Sequence, residues 1–158
     1  MDVRLNVFCC QKESSAVLQV ILINSLIVVI VVAVHYEFLH VMGRLLPRFG
    51  EHFHRERISL AVLGTLVAHA VEVWIFAGAY YLMHHADTWG HLTGNFSGTL
   101  MDCAYFSFTT FTTLGFGDIE PFGHIRYLTG IEALTGLILI TWSASFLFVE
   151  MQRNWPSR

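Results

Sequence analysis

Charged side chains are scarce in this 158-residue sequence, where Asp, Glu, Lys and Arg together make up 13% of the residues. A typical soluble domain carries about 25%. Hydrophobic residues make up 54% of the chain and aromatic residues 14%. This composition indicates that lipid, rather than water, surrounds most of the chain, and the length allows one domain.

Cysteines and catalytic motifs are also few. Cys9, Cys10 and Cys103 have no CxxC spacing and no evident pairing, so free thiols or lipidation of the neighbouring pair are expected rather than disulfides. The net charge of −3 comes without a basic patch, which excludes nucleic acid as an expected partner. No Ser-His-Asp arrangement or phosphate-binding loop is present, so we expect neither enzyme activity nor a cofactor.

Three long apolar runs are present, at residues 14–36, 58–83 and 127–149. At about 1.5 Å of rise per residue, each can cross a hydrocarbon layer about 30 Å thick as a helix. We therefore predict three transmembrane helices. For the first run, a helix that lies on the membrane without crossing it is the alternative.

Basic residues orient these helices. No Lys or Arg occurs between residues 84 and 125, whereas the loop 37–57 and the tail 151–158 hold most of them. The basic residues of this loop and tail are Arg44, Arg48, Arg55, Arg57, Arg153 and Arg158. The positive-inside rule places that loop and tail in the cytoplasm and residues 1–13 outside. Within the loop we expect either a short interfacial helix broken near Pro47 and Gly50 or a solvated connector.

The segment between the second and third runs is too polar at its start to cross. We expect an outer loop at 84–98 and then a helix at 99–112, because Thr99 and Asp102 have the spacing of a capping box. A helix this short ends at membrane depth. Its unpaired carbonyls are then tolerated only inside protein or beside water, and its dipole favours a cation there.

The glycines after this helix suit a cation-binding backbone. A ring of carbonyls from four chains can replace the hydration shell of an ion without a charged side chain that would hold it too tightly. Carbonyls that face one way require alternate residues with φ > 0, which Gly115 and Gly117 allow. We expect the side chains of Leu114 and Phe116 to pack behind this strand and Asp118 to bond back to the short helix.

These residues carry a family resemblance. The run TTLGFGD, residues 112–118, resembles the potassium-channel signature T-T-V-G-Y-G-D, and YFSFTTFT and DIEPFG resemble the flanking pore helix and outer turn. The resemblance covers residues 58–150, the two-span pore domain. Leu114 departs from the usual Val or Ile, and Phe116 lacks the usual Tyr hydroxyl.

The resemblance implies an all-α membrane protein with a re-entrant pore helix and a filter at 113–118, assembled as a homotetramer around a central pore. It also implies potassium ions at the carbonyls of Thr113, Leu114, Gly115 and Phe116, supported by Thr112, Gly117 and Asp118. Gly136 is a candidate gating hinge or a close-packing point. We expect an integral protein of the plasma or inner membrane, with the filter loop outside and lipid, potassium and identical subunits as partners.

Three ionisable residues lie within the predicted spans. His69, Glu72 and Glu132 can pair with one another to hold the subunit together, or they can sense protons. Three other functions stay open: a non-selective monovalent cation channel, a haem- or metal-binding membrane protein that uses His35, His69 or the outer histidines, and a non-conducting accessory subunit.

Overall fold

The computed structural model describes residues 3–48, 54–86 and 88–154. The elements, in chain order, are α1 (Val3–Leu45), a 3-10 turn (Leu46–Arg48), α2 (His54–His85), β1 (Gly90–Gly94), α3 (Leu100–Phe111), β2 (Ile119–Gly123) and α4 (Ile125–Asn154). Gly50, near which we expected a break, lies outside the described residues, and so do the side chains of Cys9 and Cys10.

Among the described residues, three helices are long and apolar enough to cross a membrane: Ser15–Leu45, Glu56–His85 and Ile125–Arg153. In the apolar stretch of α2, 44% of the residues are buried, compared with 17% in that of α1 and 28% in that of α4. The second helix is therefore the central one of the chain. The outward faces of α1 and α4 are apolar and need lipid or other chains to cover them.

The first helix differs from its prediction. Residues 37–45 were expected in a cytoplasmic loop, but α1 continues without interruption to Leu45. No proline occurs before Pro47, and the residue that precedes a proline is disfavoured in the α conformation. The helix therefore ends at Leu45, so residues 37–45 belong to α1 rather than to a separate interfacial helix or a solvated connector.

The described residues are mostly helical, as the all-α prediction expects, and two short strands are the exception. β1, in the segment expected to be a plain outer loop, pairs antiparallel with β2, and Leu92 lies opposite Pro121. Each strand is only five residues long, and glycines occupy three of the four strand ends. The sequence therefore has no alternating apolar pattern that would predict these strands. This antiparallel pair connects the end of α2 to the start of α4.

The short helix α3 lies between α2 and α4. Its buried face includes Cys103, Phe106 and Phe111, which belong to the apolar core of the chain. Tyr80 of α2 meets Phe106 edge to face, with ring centroids 5.0 Å apart. The central and last helices thus hold α3 in place from both sides.

Candidate functional site

The start of α3 is fixed by the capping box that the sequence predicts. Thr99 Oγ1 accepts a hydrogen bond from the Asp102 N–H at 3.1 Å, and Asp102 Oδ2 accepts one from the Thr99 N–H at 3.3 Å. The Ser97 N–H also donates to Asp102, at 2.9 Å. These bonds, that from Ser97 above all, hold the pKa of Asp102 below its ordinary value, so the carboxylate stays charged at the positive end of the helix.

The helix ends at Phe111 after 12 residues, a rise of about 18 Å that is too short to cross a membrane. The chain then turns back on itself. The Thr113 N–H donates to the Thr110 carbonyl at 2.9 Å, and the Gly115 N–H donates to the Thr109 carbonyl at 3.0 Å. Two backbone hydrogen bonds therefore hold the residues after α3 against its last turn.

Alternate residues in this turn have positive φ. The values are 58° at Thr113, 51° at Gly115 and 77° at Gly117, whereas Leu114 and Phe116 between them do not have positive φ. This is the alternation that a row of carbonyls facing one way requires. The sequence predicted it at the two glycines but not at Thr113, because a β-branched residue is rarely found there.

The side chains of the turn are exposed in the single chain. Leu114 is 59% and Phe116 64% exposed. Both line an apolar groove with Trp74 and Phe108, and the Phe116 ring lies parallel to that of Tyr105 with centroids 6.4 Å apart. These side chains therefore lie beside α3, and much of their surface is left for another molecule to cover.

Asp118 bonds back to α3. The Tyr105 hydroxyl donates to Asp118 Oδ2 at 2.9 Å, and this bond raises the pKa of Tyr105. The Asn95 N–H donates to the Asp118 carbonyl at 2.8 Å. The sequence predicted a bond from Asp118 to the short helix but not its partner, because no local pattern links residues 13 positions apart.

Glu132 is fully buried and joins α4 to both neighbouring helices. Its Oε1 lies 2.5 Å from Ser107 Oγ, and its Oε2 accepts a hydrogen bond from the Tyr80 hydroxyl at 2.5 Å. Ser107 Oγ also donates to the Val73 carbonyl at 2.9 Å. The Val73 carbonyl can only accept a hydrogen bond, so the single hydroxyl hydrogen of Ser107 is used in the bond to Val73. All three contacts are satisfied together when Glu132 is a carboxylic acid that donates to Ser107.

This hydrogen count gives a stability prediction. Glu132→Gln keeps a donor for Ser107 and an acceptor for Tyr80, so we expect its thermal unfolding in detergent to match that of the unmodified chain. Glu132→Leu leaves the buried Tyr80 hydroxyl without its acceptor, and we expect a loss of about 1–3 kcal/mol. Glutamine that destabilises as much as leucine would contradict a neutral Glu132.

Gly136 lies against the end of α3. A Cβ built on it would overlap the Phe111 carbonyl oxygen and press on the Phe111 ring. The close approach of the two backbones is enough to explain a glycine here. Its role as a gating hinge stays a prediction.

A second buried polar group joins α1 to α2. His35 Nδ1 lies 2.7 Å from Glu72 Oε1, and His69 Nδ1 lies 2.9 Å from Glu72 Oε2. Of the pairings considered from the sequence, that of His69 with Glu72 is present, whereas Glu132 lies in the separate network with Ser107. Residues 35 and 72 are too far apart in the chain for spacing to reveal their contact.

The histidines near the strands do not form a comparable group. His84 Nδ1 accepts a hydrogen bond from the Leu92 N–H at 3.1 Å, and the His91 ring stacks on Phe122. Among the described residues, the only close group of three or more histidine, cysteine, aspartate or glutamate side chains is that of His35, His69 and Glu72.

Comparison with known proteins identifies the family of the chain. A family model described as ion channel matches residues 68–153, which run from the middle of α2 through α3 and the glycine-containing turn to the end of α4. No curated protein and no solved structure matches the chain. The match covers more than half of the sequence and confirms the expectation of an ion channel with membrane-spanning helices. The chain belongs to the ion channel family.

Proposed function

We propose that four copies of this chain form a potassium-selective pore with residues 113–118 as the filter. The observation that carries the proposal is the alternation of positive φ at Thr113, Gly115 and Gly117, directly after a capped helix too short to cross. Such a backbone can present successive carbonyls to one axis, and it occurs in the segment TTLGFGD.

Carbonyl oxygens are suited to potassium transport. The carbonyls of Thr113, Leu114, Gly115 and Phe116 replace water around the ion, and no side chain in this stretch is charged. An ion is therefore held strongly enough to enter and weakly enough to leave. The carbonyl end of α3 adds partial negative charge beneath the filter.

Assembly into a homotetramer follows from the geometry of such a filter, since one chain supplies a quarter of each carbonyl ring. The apolar groove beside α3 supports it, because large side chains there are uncovered in the single chain. They are Met101, Tyr105, Phe108, Leu114 and Phe116. A neighbouring subunit would cover this surface and support the filter from behind.

The same proposal places the filter on the outer side of the cell membrane. Arg44, Arg57 and Arg153 lie at the ends of α1, α2 and α4 that point away from the strands, whereas Arg4 and Lys12 near the start of α1 and Arg126 at the start of α4 lie at the opposite end. A majority of basic residues at the end opposite the filter favours a cytoplasmic location for that end.

The test is potassium flux from proteoliposomes that contain only the purified chain. We expect flux that barium blocks, and a reversal potential that follows the potassium gradient when sodium is the main cation on the other side. Empty liposomes processed in parallel give the leak.

Each rival gives a different result. Equal permeability to sodium and potassium would replace the selective pore by a non-selective cation channel. Absence of flux from protein that elutes as a folded tetramer would indicate an accessory subunit, and a monomeric elution volume would contradict the proposed assembly itself.

A further inference from the structure

The three residues His35, His69 and Glu72 have the composition and proximity of a metal site that lies apart from the filter. One ligand atom from each residue lies within 4.8 Å of the other two. A zinc ion binds imidazole nitrogen and carboxylate oxygen at about 2.0–2.2 Å. Its tetrahedral ligands are then about 3.3 Å apart, so small side-chain shifts bring these three atoms to coordination distance.

We propose that His35, His69 and Glu72 bind a divalent first-row transition-metal ion that links α1 to α2. Two imidazoles and one carboxylate form a donor set that zinc accepts, with a fourth position left for water. Magnesium and calcium prefer oxygen ligands and are not expected here. This inference is independent of the proposed potassium conduction.

The buried charge requires a positive partner. Glu72 is fully buried within a span, where an unpaired carboxylate is costly. Within the described side chains, its ion-pair partners are the two histidines and no Lys or Arg. A divalent ion between the three residues places positive charge beside the carboxylate, and with two neutral imidazoles it changes the net charge of the group from −1 to +1.

The surroundings also fit a metal site. The His35 ring is fully buried. The Trp142 ring of α4 lies 5.2 Å from that of His35, and Phe111 lies 5.7 Å from His69, so aromatic side chains exclude water. Only His69 is partly exposed, at 18% of its side chain, and it provides the entry route.

The hydrogen bonds within the group indicate which atoms would bind the metal. Nδ1 of each histidine faces a Glu72 oxygen, so both Nδ1 atoms and the carboxylate are the atoms that would bind the metal. Each neutral imidazole would then carry its single hydrogen on Nε2 instead of on Nδ1. No proton is lost from the group in this exchange, and no redox partner is needed.

Titration of the purified full-length chain with Zn²⁺ tests the site by calorimetry. Glu72→Gln and His69→Ala should each weaken the binding attributed to this site at least tenfold. The control is His40→Ala, which removes an exposed histidine of α1, the helix that carries His35, and should leave that binding unchanged. Unchanged zinc affinity and stoichiometry in both ligand variants would overturn the proposal.

Tryptophan fluorescence locates the bound ion, and the elution volume identifies misfolded variants. Cu²⁺ should quench the emission of Trp142, so the quenched fraction should fall in Trp142→Phe and in His69→Ala but not in His40→Ala. Each variant is first checked for the elution volume of the unmodified protein. Quenching that does not depend on Trp142 would place the metal on surface histidines and contradict the site.

Discussion

Gly115→Ala should abolish selective potassium flux in proteoliposomes. Gly115 has a φ of 51°, and the left-handed region costs a residue with a Cβ about 1–2 kcal/mol. Four subunits meet in each carbonyl ring, so the strain reaches about 4–8 kcal/mol per tetramer. Within the single chain a Cβ at this position meets no atom within 4 Å. The expected loss therefore comes from backbone conformation, which turns the carbonyl away from the pore axis.

The matched control is Gly130→Ala. Gly130 lies in α4, has no positive φ, and a Cβ there also meets nothing within 4 Å. Alanine is favoured over glycine in a helix by about 1 kcal/mol, so this variant should keep its flux and unfold no earlier than the unmodified chain. Selective flux that survives in Gly115→Ala while the control behaves as expected would remove the basis for the filter assignment.

Local sequence signals predicted the parts of the site that depend on neighbouring residues. The capping box at Thr99 and Asp102 lies within four residues, and it sets the start of α3. Positive φ at Gly115 and Gly117 follows from the missing Cβ. Both features need no knowledge of the rest of the fold, which explains why they could be found from the sequence alone.

Contacts between distant residues could not be predicted in this way. Tyr80 and Glu132, 52 positions apart, meet only because α2 and α4 pack around α3. His35 meets Glu72 across 37 positions because α1 lies against α2. A lone buried histidine or glutamate in an apolar run indicates that a partner exists, but the helix packing decides which one.

The positive φ at Thr113 was missed for a different reason. Threonine disfavours this conformation, so its residue type predicts the opposite. The hydrogen bonds from the Thr113 and Gly115 N–H groups to the last turn of α3 hold the backbone on both sides of Leu114. The surrounding structure thus imposes a conformation that the residue itself would not choose.

Gly136→Ala should destabilise the folded chain and reduce its flux. The added Cβ would overlap the carbonyl oxygen of Phe111, which is backbone and cannot rotate away. Either α4 or the end of α3 must move, and such overpacking costs about 1–3 kcal/mol. Because Phe111 is followed within two residues by Thr113, displacement of the end of α3 shifts the base of the filter. Thermal unfolding in detergent and potassium flux in liposomes measure the two effects.

The same variant separates close packing from a gating hinge. If Gly136 acts only by letting α4 bend, alanine stiffens the helix, and stability should be unchanged or higher by up to about 1 kcal/mol while flux changes. Close packing requires that stability fall together with flux. Gly78→Ala provides the control, because Gly78 lies in α2 and a Cβ there meets nothing within 4 Å. Lower flux with undiminished stability in Gly136→Ala alone would therefore assign the hinge role and reject the packing explanation.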